Sequence, residues 1–431
     1  MRITTFIICV MAVVLTMVLS DCVSKEPLPT FYESEQADTS YIQVMPNWEQ
    51  SVYGFNAIKD ILIGEDSYLF IADSGNNRII VLDRAGNLVE SDDYGNDFSG
   101  LASLEVPGVS AIEPLRLTQD SKMNLIIADG SNRLYAWNQF FNNVGVDSVA
   151  TELLLFNSQT NDTHRLTQID SLLFYSNSGY AVLDVQFERN EERIAEVLGV
   201  HIFYDGYDIK NILKDEYGDP RNSRIVDVAA FGQDYDAGLY LMDYRYNRII
   251  KGYYYIRDVL RLSDQSIVFA YGCRFSEVVT GQGSGAGYVM EPNSISLDAS
   301  GNIYYTQTGG NFLCHGLAGG SYRTLFDPGA DEIMNTSRFG IPRDICIDSR
   351  SVIYVADAGL NYIHSFSGTG AFIRNIGTEP VDSVEVGYIL DRPEALVFED
   401  NILYVADTGN ARIVRFQYVV LAEQNVSRGN D

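Results

Sequence analysis

Histidine and cysteine are scarce in this chain of 431 residues, at four and five copies. His164, His201, His315 and His364 show no metal-pair spacing, so the pattern offers no zinc centre built from several imidazoles. Cys273, Cys314 and Cys346 lie far apart and without CxxC spacing, and they are expected to be small buried hydrophobes. Basic residues are also short, with 30 Lys+Arg against 58 Asp+Glu and a formal charge of −28. A surface of that sign repels phosphate backbones, which excludes a nucleic-acid partner. The acids are spread along the chain, as on a solvated surface. Gly-x-Ser-x-Gly and P-loop motifs are missing, and nothing suggests a flavin or nicotinamide site. The one pronounced apolar run, Phe6 to Val18, is too short to span a bilayer comfortably.

What is abundant is repetition. "IADSGNNRII" from Ile71 returns as "IADGSNRLYAW" at Ile127, "MDYRYNRII" at Met242, "YTQTGGNFL" at Tyr305, "VADAGLNYI" at Val355 and "VADTGNARI" at Val405. The aligned acids are Asp73, Asp129, Asp243, Asp357 and Asp407, with Gln307 at the equivalent place in "YTQTGG". Asp73 and Asp129 are 56 residues apart and Asp357 and Asp407 are 50, whereas Asp129 and Asp243 are 114, about two steps. That gap predicts a degenerate copy near "GYAVLDVQF", Gly179 to Phe187. A second phrase carries Pro and an alternating apolar pattern: "VPGVSAI" at Val106, "EPNSISLD" at Glu291, "IPRDICID" at Ile341 and "RPEALVF" at Arg392. Proline opens a strand because it cannot donate to a ladder, and alternation marks two unlike faces.

Each unit reads as strand, tight turn, strand ending in Ala-Asp, Gly-Asn turn, third strand and a variable outer segment. A small sheet with two apolar faces must be covered by its neighbours, and radial stacking does this without leaving long open edges. The motifs resemble NHL repeats, best at Tyr404–Ile413 and Leu69–Ile79. The resemblance implies an all-β fold, a β-propeller of four-stranded blades, with seven blades expected and six as the alternative. "SYIQVMPNW", Ser40 to Trp48, is β-like and would complete the final blade.

The chain opens with Arg2, then the apolar stretch, then "LSDC", Leu19 to Cys22. This resembles the lipobox of bacterial lipoproteins, with Asp21 where that family carries Gly, Ala or Ser. The resemblance implies lipidation at Cys22 and attachment to the extracytoplasmic face of a bacterial membrane by the lipid alone. Secretion, or retention by an uncleaved signal anchor, is the alternative. The expected division is signal peptide 1–21, tether 22–40, propeller 41–425 and tail 426–431, in a monomer.

The repeated acids, Asp73, Asp129, Asp243, Asp357 and Asp407, are expected to accept turn N–H groups, with Asn76, Asn361 and Asn410 tolerating positive φ. Arg78, Arg133, Arg248 and Arg412 would pair with a neighbouring acid. Catalysis needs unlike groups converging on one point, whereas a motif repeated once per unit serves the scaffold. Function is therefore sought in what does not repeat: the linkers Glu90–Glu105, Gly281–Glu291, Asp327–Gly340 and Glu379–Asp391, rich in Gly, acids and aromatics. No catalytic residue is assigned. The expectation is a surface-tethered, non-catalytic module binding a peptide, glycan or partner protein. The resemblance also implies an alternative, a lyase or hydrolase of the lactonase, streptogramin lyase or amidating lyase type. Such an enzyme would hold a metal, Ca or Zn, in the central channel; calcium is the only cofactor the plentiful acids suggest.

Overall fold

A computed structural model describes residues 39–91, 98–104, 111–121, 123–131, 133–138, 154–156, 163–165, 180–184, 201–203, 223–233, 236–261, 267–378 and 390–420. Cys22, residues 22–38 of the expected tether and the tail lie outside the described residues, as do 92–97 and 105 of the first linker and 379–389 of the last. Thr39 and Ser40 already belong to a strand. Tyr41–Tyr418 forms one compact unit. Its described residues are nearly all β, in small antiparallel sheets with only one short α-helical turn, Gln50–Tyr53, consistent with a β-propeller-like fold.

Among the described residues, six sheets of three to five strands follow one another in the chain. Sheet I is Ile58–Ile63, Leu69–Asp73 and Arg78–Leu82. Sheet II is Arg116–Gln119, Asn124–Ala128, Arg133–Asn138 and Tyr180–Asp184. Sheet III is Ile225–Phe231, Gly238–Asp243, Arg248–Arg261 and Ile267–Thr280, with His201–Phe203 added in parallel to the last. Sheet IV is Pro292–Leu297, Ile303–Gln307 and Cys314–Leu317. Sheet V is Pro342–Ile347, Ile353–Asp357, Tyr362–Phe366 and Phe372–Ile376. Sheet VI is Pro393–Glu399, Ile402–Asp407 and Arg412–Val420, with the N-terminal strand Thr39–Glu49 on its outer edge. "SYIQVMPNW" thus joins the last sheet. A separate hairpin pairs Leu154–Phe156 with Thr163–Arg165.

The second strand of each sheet explains the stacking. "LFIAD", "NLIIA", "GLYLMD", "IYYTQ" and "IYVAD" are buried at every position. A strand reads as a continuous apolar run when neighbours cover both of its faces. Phe70 and Ile127 share a core between sheets I and II, and Trp48, Ile71 and Tyr404 share another between VI and I. Similar cores join V to VI, III to IV and IV to V. The lead strand, the first of each sheet, packs on its counterpart in the next: I on II, II on III, III on IV, IV on V, V on VI, and VI on I.

One sequence expectation is corrected here. "GYAVLDVQF" is not the nucleus of a further sheet, because Tyr180–Asp184 pairs with Arg133–Asn138 as the outer strand of sheet II. Outer and inner strands share the same β propensity, so composition alone does not separate them. The lead strand of sheet II is Arg116–Gln119, opening after Pro114; residues 106–110 of "VPGVSAI" lie outside the described residues. The linkers are also more than solvated loops: Phe98, Leu101 and Leu104 are buried between sheets I and II, and Ile333 and Met334 between IV and V. Cys314 and Cys346 are free thiols buried in the cores; the side chain of Cys273 lies outside the described residues. From the tyrosine-rich run, Lys251 sits over the rings of Phe231, Tyr240, Tyr253 and Tyr322.

Candidate functional site

The repeated turns act as latches between the ends of a sheet's own strands. Asp73 accepts the Asn56 N–H at 2.6 Å, just before the lead strand, and also Asn76 Nδ2 at 2.8 Å and Arg78 Nε at 2.7 Å. Asp407 repeats this with the Asp391 N–H, Asn410 and Arg412. Asp243 takes the N–H groups of Arg224 and Arg245, Ser223 Oγ and Arg248 Nε. Asp357 accepts four N–H groups, from Gly340, Ile341, Gly359 and Leu360, and lies 3.4 Å from His364; Tyr362 stands where the other turns carry Arg78, Arg248 and Arg412. Asp129 accepts the Ser131 N–H and the Tyr135 hydroxyl; the side chain of Arg133 lies outside the described residues. Gln307 accepts the Met290 N–H in the same fashion. The arginines therefore pair with the acid of their own turn.

The turn glycine is required by close approach. A Cβ on Gly75 would stand 2.6 Å from the Asn56 side chain, and the Gly75 N–H donates to the Asn56 carbonyl at 2.9 Å. The left-handed residue is one place later than the sequence implies at two turns: Asn77 and Ala411 carry it, while Asn76 and Asn410 serve the acid through their side chains. Asn361 is left-handed as expected, and its Oδ1 accepts the Arg392 N–H of the next sheet. Ser74 donates to the Pro114 carbonyl of sheet II, and Thr408 donates to the Ile58 carbonyl of sheet I at 2.6 Å.

Unlike groups do converge elsewhere, where the lead strands meet. Their pairing slips after Ile58, Ile225, Pro292, Pro342 and Pro393. Such bulges re-aim side chains. Opposite the residue before each repeated turn position stand Asp60, Arg116, Asp227, Ser294, Asp344 and Ala395, one per sheet. A lead strand is a sheet edge, and its outward N–H groups need acceptors. Asp60 accepts the N–H of Ile61 at 2.9 Å and of Leu117 in the next sheet at 2.6 Å. Asp227 accepts from Val228 at 2.7 Å and Ile295 at 2.8 Å. Asp344 accepts from Ile345, Leu396 and Ser294 Oγ.

Arg116 stands among these acids. It donates to the carbonyls of Lys59 and Arg343, the latter at 2.9 Å, and its guanidinium lies 3.9 Å from Asp60 and 3.8 Å from Asp227. All four ionisable groups are buried. Loss of water pushes the Asp60 carboxyl up to about 7 and Asp227 up to about 8, with Arg116 pulling the other way and the neighbouring acids adding to the rise. Asp344 is raised for the same cause.

Directly over Arg116 opens a cavity of about 600 Å³. The bulged residues Lys59, Asn293, Arg343 and Glu394 line it together with Arg224 and Tyr244. Glu394 bridges Lys59 at 3.5 Å and Arg343 at 3.7 Å. The Arg224 guanidinium stacks 5.1 Å above the Tyr244 ring.

No protein-family model matches this chain, and no curated protein does. Its similar solved structures belong to propeller proteins. Virginiamycin B lyase from Staphylococcus aureus is 9% identical, with 88% of this chain and 99% of that one covered at a TM-score of 0.43. A gluconolactonase from Xanthomonas campestris is 10% identical over 88% and 98%, at 0.42. An auxiliary nutrient binding protein from Bacteroides thetaiotaomicron is 10% identical over 84% and 69%, at 0.43. At these values the likeness brings neither an activity nor a ligand to this chain.

A channel metal does not fit the residues at the meeting of the lead strands. The oxygens of Asp60, Asp227 and Asp344 are taken by backbone N–H groups, and a guanidinium already holds the space between two of them. A divalent ion there would face a fixed positive charge. Nor do these acids line the cavity, so they stand out of reach of a proton on a bound molecule. None of the six central residues was flagged by sequence reasoning. The signal was present as a column: Pro114-x-Arg116, Pro292-x-Ser294, Pro342-x-Asp344 and Pro393-x-Ala395.

Proposed function

We propose that this chain is an NHL-type β-propeller of six blades, closed by its N-terminal strand, that binds a ligand at the cavity over Arg116 without catalysing its conversion. Support for six blades is the cyclic order in which lead strands pack, each sheet on the next and VI on I. Thr408 to Ile58 and Arg84 to Glu399, at 2.6 and 2.5 Å, tie the last sheet to the first. In this reading the repeated Asp–Arg turns belong to the scaffold, and the disc is exported and tethered through lipid at Cys22. The partner is a glycan, a peptide or a protein segment presented at the cell surface.

The observation that carries the non-catalytic reading is Arg116. It puts a resident cation where a channel metal would have to sit, with the surrounding carboxylates committed to backbone donors. The alternative, a metal-assisted lyase or hydrolase, has the kind of activity named for two of the similar structures. It requires the acids to release those donors and accept an ion beside Arg116. Metal analysis of the purified full chain, combined with glycan and peptide arrays read with and without chelator, separates the two. Binding indifferent to chelator and no stoichiometric metal is the expected result. Stoichiometric calcium or zinc, lost together with an activity on chelation, would reverse the assignment.

A further inference from the structure

The lining of the cavity runs against the charge of the whole chain. Acids outnumber bases 58 to 30 overall, yet the side chains over Arg116 include Lys59, Arg224 and Arg343 against Glu394 alone. With the Glu394 carboxylate shared between Lys59 and Arg343, three cations facing one anion leave two positive charges. Arg116 also lines the cavity, but three buried acids, Asp60, Asp227 and Asp344, act on it from behind, so it does not add to this excess. One donor is left over: Arg343 Nε is buried without a hydrogen-bond partner, its 3.7 Å contact with Glu394 being an ion pair only. A desolvated donor of this kind is costly unless an acceptor arrives. The Arg224 guanidinium lies over the Tyr244 ring, 5.1 Å from its centre, which steadies a second guanidinium at the cavity wall. Asn293 has its Nδ2 committed to the Pro342 carbonyl, so its Oδ1, 3.4 Å from Arg343, helps to aim that guanidinium.

On this basis we infer that the cavity takes a dianionic group of the glycan, peptide or protein partner, a paired carboxylate or a phosphate monoester as on a sugar phosphate, bound between Arg343, Arg224 and Lys59. The inference rests on the cavity being the ligand site and adds the chemical class. Both ligand types present paired oxygens that match a guanidinium edge, and both neutralise the double excess. The volume suits a molecule of sugar size, in the usual range of small-molecule sites. Glu394 is then the internal stand-in for one ligand charge, competing for the same two cations.

Calorimetric titration of the full chain with malate, glucose 6-phosphate and, as a neutral control, glucose tests this. At least one dianion should bind with a Kd of about 1 mM or tighter, weakening as salt rises. Arg343→Gln should weaken it about tenfold or more, and Glu394→Gln should strengthen it by removing the competitor. Which dianion binds separates the carboxylate from the phosphate. Glucose bound as well as glucose 6-phosphate, and lost in Asn293→Trp, would overturn the dianion while leaving the cavity as a ligand site. Dianion binding unchanged in both Arg343→Gln and Asn293→Trp would overturn the site as well. Binding by neither dianion, with both variants melting like the parent, overturns the inference, and array ligands that bind and survive Asn293→Trp would then move the ligand site elsewhere.

Discussion

Arg116 donates to the carbonyl of Arg343, 227 residues further along the chain, at 2.9 Å. A side chain from the second sheet thus fastens the lead strand of the fifth, with Asp60 and Asp227 close by on two others. One guanidinium with five donors can serve several strands at once, which a lysine ammonium with its single point of charge cannot.

Removing that group should be severe. Arg116→Met leaves the buried acids without their cation and the carbonyls of Lys59 and Arg343 without a donor, a loss of about 3–5 kcal/mol. Arg116→Lys should recover less than half of it. Chemical denaturation reads both, and a melt of Arg116→Met equal to the parent would show that the central cluster contributes nothing to folding.

The same cluster sets a pH dependence. Asp60 and Asp227 are raised in the folded state, to about 7 and about 8, so between their unfolded values near 4 and those points the folded chain holds more protons. Stability from these groups is therefore full at low pH and is lost as pH rises through 7 and 8. His315 works the other way: burial lowers it to about 4, and it costs stability as pH falls below about 6.5, the ordinary histidine value. Burial raises the Cys314 and Cys346 thiols, which would add a loss of the same sign above about pH 8, so a comparison between about pH 6.5 and pH 8 reads mainly the acids. The melting temperature should fall across that window, and Asp227→Asn should flatten the slope; a rise would reverse the sign assigned here.

Much of the scaffold is legible in the sequence, and the centre is not, for a physical reason. Repeated strands such as "IYVAD" announce themselves because each must satisfy the same two covered faces and the same latch. The central position is filled once per sheet by a different residue, Asp, Arg, Ser or Ala, since its task depends on what stands opposite. Repetition detects sameness, and at this position the group is built from difference. In isolation Arg116 in "EPLRLTQD" looks like the solvated residue of an alternating strand. The outer strand Tyr180–Asp184 is obscured in the opposite sense, since a strand without a latch carries only generic β character.

The latches should govern stability and leave the cavity alone. Asp407→Ala deprives the Asp391 N–H, Asn410 and Arg412 of an acceptor, costing about 2–3 kcal/mol. Gly75→Ala forces a methyl onto Asn56 and should cost a similar amount. Array ligands should bind both variants as they bind the parent. A loss of binding without a change in melting would place these turns in the ligand site.

Ala411 offers a gain. It sits at φ 49°, ψ 49°, in the left-handed region, where Asn77, Asn247 and Asn361 occupy comparable turns. An alanine Cβ crowds the following carbonyl there, at a cost of about 1 kcal/mol that glycine escapes and asparagine tolerates better. Ala411→Gly gives part of this back through the freer unfolded chain. Ala411→Asn does not, and its side chain can accept an N–H from the neighbouring sheet as Asn361 does from Arg392. Ala411→Asn should therefore raise stability by about 0.5–1 kcal/mol and exceed Ala411→Gly. Thermal melts of the two variants beside the parent decide it, and a lower melting temperature for both would mean that residue 411 is not left-handed in solution.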